Sequence, residues 1–179
     1  MKDVFEILAK IAREQRLELL VIGGHAMQAY GSARQTLDAD VLVTDKTGAA
    51  LENGFMASGY ACAGRSGNAV RLRHPENEMP DLDILLVDED TMTGMLAESR
   101  QILFGDYNLR VPGLAHLVAL KLHAMKNDAS RKPRDLADII DLLRLHPAAL
   151  SHSDLLRLCE KHGPEGIFEQ IMENLPRHE

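Results

Sequence analysis

Val21 to Val43, VIGGHAMQAYGSARQTLDADVLV, decides the fold of this 179-residue chain. The apolar run Leu19-Leu20-Val21-Ile22 reads as a buried strand, starting at about Glu18. Gly23 and Gly24 follow. A short helical piece, His25 to Tyr30, is then stopped by Gly31. A second strand runs from Leu37 to Val43. Successive side chains on a strand point to opposite faces, so Leu37, Ala39, Val41 and Val43 share one face and Asp38 and Asp40 the other. Two carboxylates side by side repel, and a divalent cation held by hard oxygen ligands relieves that repulsion. The glycine pair lets a phosphate approach the backbone at a helix start. A phosphate cradle followed by paired metal ligands is the arrangement that phosphoryl or nucleotidyl transfer needs.

Working outward, Val4, Ile7, Leu8 and Ile11 recur at helical spacing and predict a helix over 3–15. Thr44-Asp45 caps a helix over 46–58, ended by Gly59. Residues 60–63 and 69–73 read as a hairpin joined through Gly64–Asn68, and a polar loop spans 74–80. The run DLDILLV, 81–87, is a strand carrying Asp81 and Asp83. A short helix begins at Asp90 and reaches about Arg100. One or two short strands then follow to Val111, broken at Gly105-Asp106. Beyond Pro112 the pattern is all helical: 113–126, 133–145 (Leu136, Ile139, Ile140 and Leu143 on one stripe), 154–162 and 165–174. The order predicts an α/β core over 1–112, a mixed sheet with flanking helices, and a C-terminal helical region over 113–179 packed on it.

Composition narrows the function. A net charge of -7 argues against coating long duplex DNA, and 4% aromatic residues leave little for base stacking. Two cysteines without metal-type spacing read as reduced cytoplasmic thiols. No run approaches the roughly 18 apolar residues of a membrane span. The first residues, MKDVFEILAKIAREQ, lack the apolar centre of a signal peptide.

Each candidate has a plainer reading beside it. Gly23-Gly24 could be only a tight strand-to-helix turn. Asp38 and Asp40 could face solvent on an edge strand, although Val41-Leu42-Val43 make the strand apolar on both faces at its end. Asp81 suits a strand start. Asp83 lies inside an apolar run, where an unpaired carboxylate is costly. Arg34 could be a surface charge or a bidentate phosphate clamp. His25 suits a neutral structural histidine. Lys121 lies among Leu117, Val118, Ala124 and Met125, where a lysine snorkels to solvent or reaches a phosphate. Lys126, Arg131, Lys132 and Arg134 form a basic patch able to meet phosphate or RNA. Arg65, Arg71 and Arg73 form a weaker one.

Gly-Gly, thirteen residues, then Asp-Ala-Asp-Val, with Leu82-Asp83-Ile84-Leu85 later, resembles the signature of the nucleotidyltransferase superfamily. That superfamily includes DNA polymerase beta and the CCA-adding enzymes. With GGHA…GSARQTLDAD, LVALKLHAM and RKPRDLADI, the chain looks most like the AbiEii-like branch, over roughly residues 17–145. The resemblance implies a nucleotidyltransferase-like fold and transfer of an NMP from an NTP to a hydroxyl. Asp38, Asp40 and Asp83 would be catalytic and would ligate Mg²⁺, or Mn²⁺ in its place. Gly23, Gly24, Arg34, Thr36 and Lys121 would hold the nucleotide, and Asp135 could position Lys121 or Arg134, or be only a helix N-terminal acid favoured by the dipole. The acceptor would be RNA or protein, with an antitoxin as counterpart if the chain is a toxin. Transfer to a small molecule, or nucleotide binding without catalysis, are the alternatives.

Overall fold

The computed structural model describes residues 3–76 and 79–175. Asn77 and Glu78, in the polar loop expected over 74–80, lie outside the described residues. By compactness the chain divides into two units, Met1–Ala29 with Arg34–Pro112, and Tyr30–Ala33 with Gly113–Glu179.

The first unit opens with α1 (Val4–Gln15), capped by the Asp3 carboxylate, which accepts from the Phe5 amide. Then come β1 (Leu20–Val21), α2 (Gly23–Ala29), β2 (Ala39–Thr44), α3 (Asp45–Ala57), β3 (Ala61–Ser66), β4 (Ala69–Arg73) and β5 (Leu82–Val87). Helix α4 (Glu89–Ala97) and the strands β6 (Arg100–Phe104) and β7 (Tyr107–Val111) complete it. Five strands form one mixed sheet in the order β1-β2-β5-β4-β3, and β6-β7 form a separate hairpin. Among the described residues β2 and β5 pair in parallel, and the other pairings of this sheet are antiparallel. The core lies on the face of Ala39, Val41, Ile84, Val70 and Leu72, all buried. Helix α3 covers this side closely: a Cβ on Gly48 would sit 2.4 Å from Leu86 Cδ2. A Cβ on Gly54 would sit 2.8 Å from Ile11 Cδ1, so small residues let α3 approach α1 as well.

Several boundaries differ from expectation, each for a local reason. Strand β2 begins at Ala39, because its pairing with β5 begins at Ala39–Leu82. Leu37 therefore has no neighbouring strand to bury it and is 86% exposed, and Asp38 sits in a bend just before the strand. The glycine pair forms the first turn of α2, which starts at Gly23 instead of His25. Strand β3 continues to Ser66, since Gly67, at φ +55°, and Asn68 close the hairpin in two residues. Helix α4 is capped by Asp88, whose carboxylate accepts from the Thr91 amide at 2.7 Å, so it starts earlier than Asp90.

The second unit holds α5 (Leu114–Asn127), a 3₁₀ turn at Ala129–Arg131, α6 (Lys132–Leu145), α7 (His152–His162) and α8 (Ile167–Asn174). The buried face of α6 is Asp135, Asp138, Ile139, Leu142 and Leu143. It is rotated from the expected stripe, because two acids take inward positions in place of Leu136 and Ile140. Phe55 is fully buried, with Tyr60 edge-on at 5.1 Å. Phe55→Ala is expected to cost about 3–5 kcal/mol, read as a lower urea midpoint at an unchanged slope.

Candidate active site

The site is built from strand register. On β2, Asp40 is half-buried between buried Ala39 and Val41; on β5, Asp83 is half-buried between buried Leu82 and Ile84. The parallel ladder sets Asp40 directly beside Asp83, and the next pairing sets Asp83 beside Arg71 of β4. Register partners point to the same side, so Asp40, Asp83 and Arg71 form one row across the sheet, opposite the apolar face. A second row lies one step toward the strand starts, with Asp81 and Arg73 joined at 2.8 Å. Asp38 is exposed and lies near enough to Arg71 to help keep its guanidinium charged.

Gly23 and Gly24 are required by what lies over them. Gly23 adopts φ +60°, and a Cβ there would stand 2.0 Å from Asp40 Oδ2. The Asp40 carboxylate thus lies against the backbone at the start of α2. A Cβ on Gly24 would stand 2.5 Å from Thr36 Cβ. Thr36 donates its hydroxyl to the Asp38 carbonyl at 3.2 Å, and Gln28 Nε2 donates to the Arg34 carbonyl at 2.9 Å. The Gln28 bond ties the segment before Asp38 to α2 and the Thr36 bond braces it locally, with Arg34 half-buried within it. The structure therefore brings Gly23, Gly24, Thr36, Asp38, Asp40 and Asp83 into one neighbourhood.

Hard carboxylate oxygens beside a glycine turn suit a divalent cation in type and placement. Their side chains have not converged on one point. Among the described residues, no three His, Cys, Asp or Glu side chains are gathered as a metal-binding group. Asp83 is turned to Arg71 instead: Nε donates to Oδ1 at 2.7 Å and a terminal nitrogen to Oδ2 at 2.5 Å. This fork raises the Arg71 pKa, through the hydrogen bond first and the charge of Asp83 next. Arg65 is similarly paired with Glu52. The arginines expected as a loose basic patch are thus partners of acids.

Lys121 belongs to the second unit. It is 6% exposed and does not snorkel; its ammonium donates to Asp138 at 2.5 Å and Asp135 at 3.3 Å. Arg131 Nε adds a bond to Asp135 at 2.9 Å. Asp138 escaped the sequence reading. The signal available was an acid at i+3 from Asp135, beside Ile139 and Leu142 on the buried face. His25 stands edge-on to Phe5 at 4.8 Å, and burial lowers its pKa against smaller raising contributions from Gln28 and Asp3.

This fold, with two in-register acids over a glycine turn, belongs to the class of nucleotidyltransferases, which are transferase enzymes. Residues 82–177, more than half the chain, match the nucleotidyl transferase AbiEii toxin family of the type IV TA system, and the chain belongs to that family. The match includes Asp83, Lys121, Asp135 and Asp138, while the Gly23–Asp40 stretch lies before it. No curated protein sequence matches the chain. Among solved structures, the antibiotic-resistance factor ANT(2'')-Ia is similar at a TM-score of 0.64 and 16% identity, over 88% of this chain and 89% of that one. The lincosamide antibiotic adenylyltransferase LnuA gives 0.56 and 14%, over 79% and 95%. A nucleotidyltransferase-like protein of Paracoccidioides brasiliensis gives 0.54 and 15%, over 98% and 93%. At these identities the likeness speaks for the fold.

Lys121→Met leaves two buried carboxylates without their shared cation and is expected to cost about 3–5 kcal/mol in urea unfolding. The His25 imidazole should titrate below 6.5 by NMR. As pH falls past 6.5 the unfolded chain takes up this proton first, so the folded state loses stability down to the lowered pKa. His25→Gln should flatten that loss; an unchanged pH slope would count against it.

Proposed function

We propose that the protein moves an NMP from an NTP to a hydroxyl of RNA or protein, the acceptor oxygen bonding to the α-phosphorus as pyrophosphate leaves, in a reaction requiring Mg²⁺ or Mn²⁺, as the toxin of a toxin–antitoxin pair. The observation that carries this reading is Asp40 set beside Asp83 and laid against the Gly23 backbone. In it, Asp38, Asp40 and Asp83 supply the oxygens for the cation. A divalent cation there neutralises phosphate charge and lowers the pKa of the acceptor hydroxyl. Gly23 and Gly24 admit the triphosphate to the backbone, and Arg34 clamps it bidentately. Thr36 fixes the backbone of Asp38, and Asp83 receives the acceptor's proton. The family resemblance also counts Lys121 among the nucleotide-binding residues; in this structure its ammonium is held by Asp135 and Asp138. Most of the work is positioning and charge.

The exposed cations Lys126 and Arg134 support an acceptor rich in phosphate. Net acidity weighs against long duplex DNA. Among the described residues no helix is long and apolar enough to cross a membrane, and the reading assigns the protein to the cytoplasm, where NTPs are made. An antitoxin made with it would be its counterpart. A second reading, transfer to a small molecule, draws on the fold likeness to ANT(2'')-Ia and the lincosamide adenylyltransferase.

The test is incubation with each α-labelled NTP and Mg²⁺, offering cell RNA, protein extract or small aminoglycoside and lincosamide acceptors. Label in RNA or protein supports the first reading, and label only in a small molecule supports the second. Asp40→Asn should lower transfer by at least about a hundredfold. Undiminished transfer by that variant would remove Asp40 from the site.

A further inference from the structure

The acid-bearing face of the sheet carries a charge pattern that a metal-and-nucleotide site alone does not explain. Asp38, Asp40, Asp81 and Asp83 share it with Arg71 and Arg73. Four formal negative charges against two positive ones leave two negative charges uncompensated within this group, the amount that a single divalent cation would balance. The two arginines are not equivalent. Arg73 holds Asp81 through one nitrogen at 2.8 Å. Arg71 holds Asp83 with a planar fork, occupying both oxygens at 2.7 and 2.5 Å. An acid so engaged has spent its best-directed lone pairs on the guanidinium. Yet the pair is open to water: the side chains of Arg71 and Asp83 are 49% and 28% exposed. Such a pair can part, because water and counterions replace what is lost.

From this we infer that Arg71 is a built-in cation that competes for Asp83, so that a divalent ion engages Asp38 and Asp40 first and gains Asp83 only when Arg71 lets go. The inference rests on the reading of Asp38, Asp40 and Asp83 as cation ligands, and makes Arg71 a positioning residue for the third of them. Its physical content is an exchange. Asp83 passes from guanidinium to cation, and the freed fork faces the space where phosphate oxygens, which suit it equally well, would arrive. The resting protein would then bind free metal weakly.

The probe is Mn²⁺ alone, titrated into the full chain and followed by electron paramagnetic resonance of the unbound ion, with no nucleotide present. Wild type should bind Mn²⁺ weakly, and Asp40→Asn should abolish that binding. Arg71→Gln should bind roughly five- to tenfold more tightly, and Arg71→Gln with Asp83→Asn should return to the wild-type value. Arg73→Gln controls for the general loss of a positive charge and should change affinity by less than about twofold. Arg71→Lys, which keeps the charge without the fork, should fall between wild type and Arg71→Gln, and serves if the glutamine variant folds poorly. Asp40-dependent binding that Arg71→Gln and Arg71→Lys leave unchanged would overturn the inference and leave the cation site standing. Equal gains in the Arg71 and Arg73 variants would also overturn it, in favour of a diffuse field. Absence of Asp40-dependent binding in wild type and Arg71 variants alike would sink the cation site itself.

Discussion

The parallel pairing of β2 with β5 is the constraint on which the site depends. The two strands are separated in sequence by α3 and the β3–β4 hairpin, yet they pair without a register break from Ala39–Leu82 to Thr44–Val87. Strand register has a period of two. A slip of one residue would turn Asp83 onto the apolar face and bring Leu82 or Ile84 out beside Asp40. Burial of Val41, Leu82 and Ile84 under α3 therefore fixes the chemistry as well as the core. The energy that prevents the slip is hydrophobic, and the groups it positions are ionic.

Placing acids side by side has a cost that the same sheet offsets. Antiparallel addition of β4 sets Arg71 against Asp83, and Arg73 reaches Asp81. Cross-strand pairs of opposite charge stabilise a sheet modestly, and like charges destabilise it by a similar amount. Asp40 stands on the β1 side of this row, against Gly23. There the packing is so close that even a methyl group would collide with Asp40. Glycine is needed here for space as much as for its backbone angle.

Much of this was legible in the residues. Alternation around Asp40 and around Asp83 marked two strands with acids on one side, and the change to helical periodicity after Pro112 marked the all-helical part. What escaped was whatever depends on pairing between distant segments. Alternation puts Leu37 on one face with Ala39, Val41 and Val43, but it does not reveal where a neighbouring strand ends, and Leu37 is exposed. Arg71 looked like part of a surface patch because nothing local says that it stands opposite Asp83. Asp135 is offered by the sequence as a positioning acid, but Asp138 is obscured because apolar periodicity is sought first, and it becomes legible as buried only once Lys121 is known to face it.

Two kinds of charge pairing coexist in this chain, and their exposure separates their roles. Lys121, Asp135 and Asp138 are almost wholly removed from water. Removing Lys121 takes the shared cation from two acids in a medium that solvates them poorly, so the cluster resists exchange of partners and suits a fixed geometry. Arg71 and Asp83 are half open, and each can trade its partner for water at small cost. A site that must admit and release charged substrates needs acids of the second kind at its centre. The sheet provides them where the row of Asp40, Asp83 and Arg71 is held in register by the core yet stays in reach of solvent, although Leu42 and Thr44 further along the same face of β2 are buried.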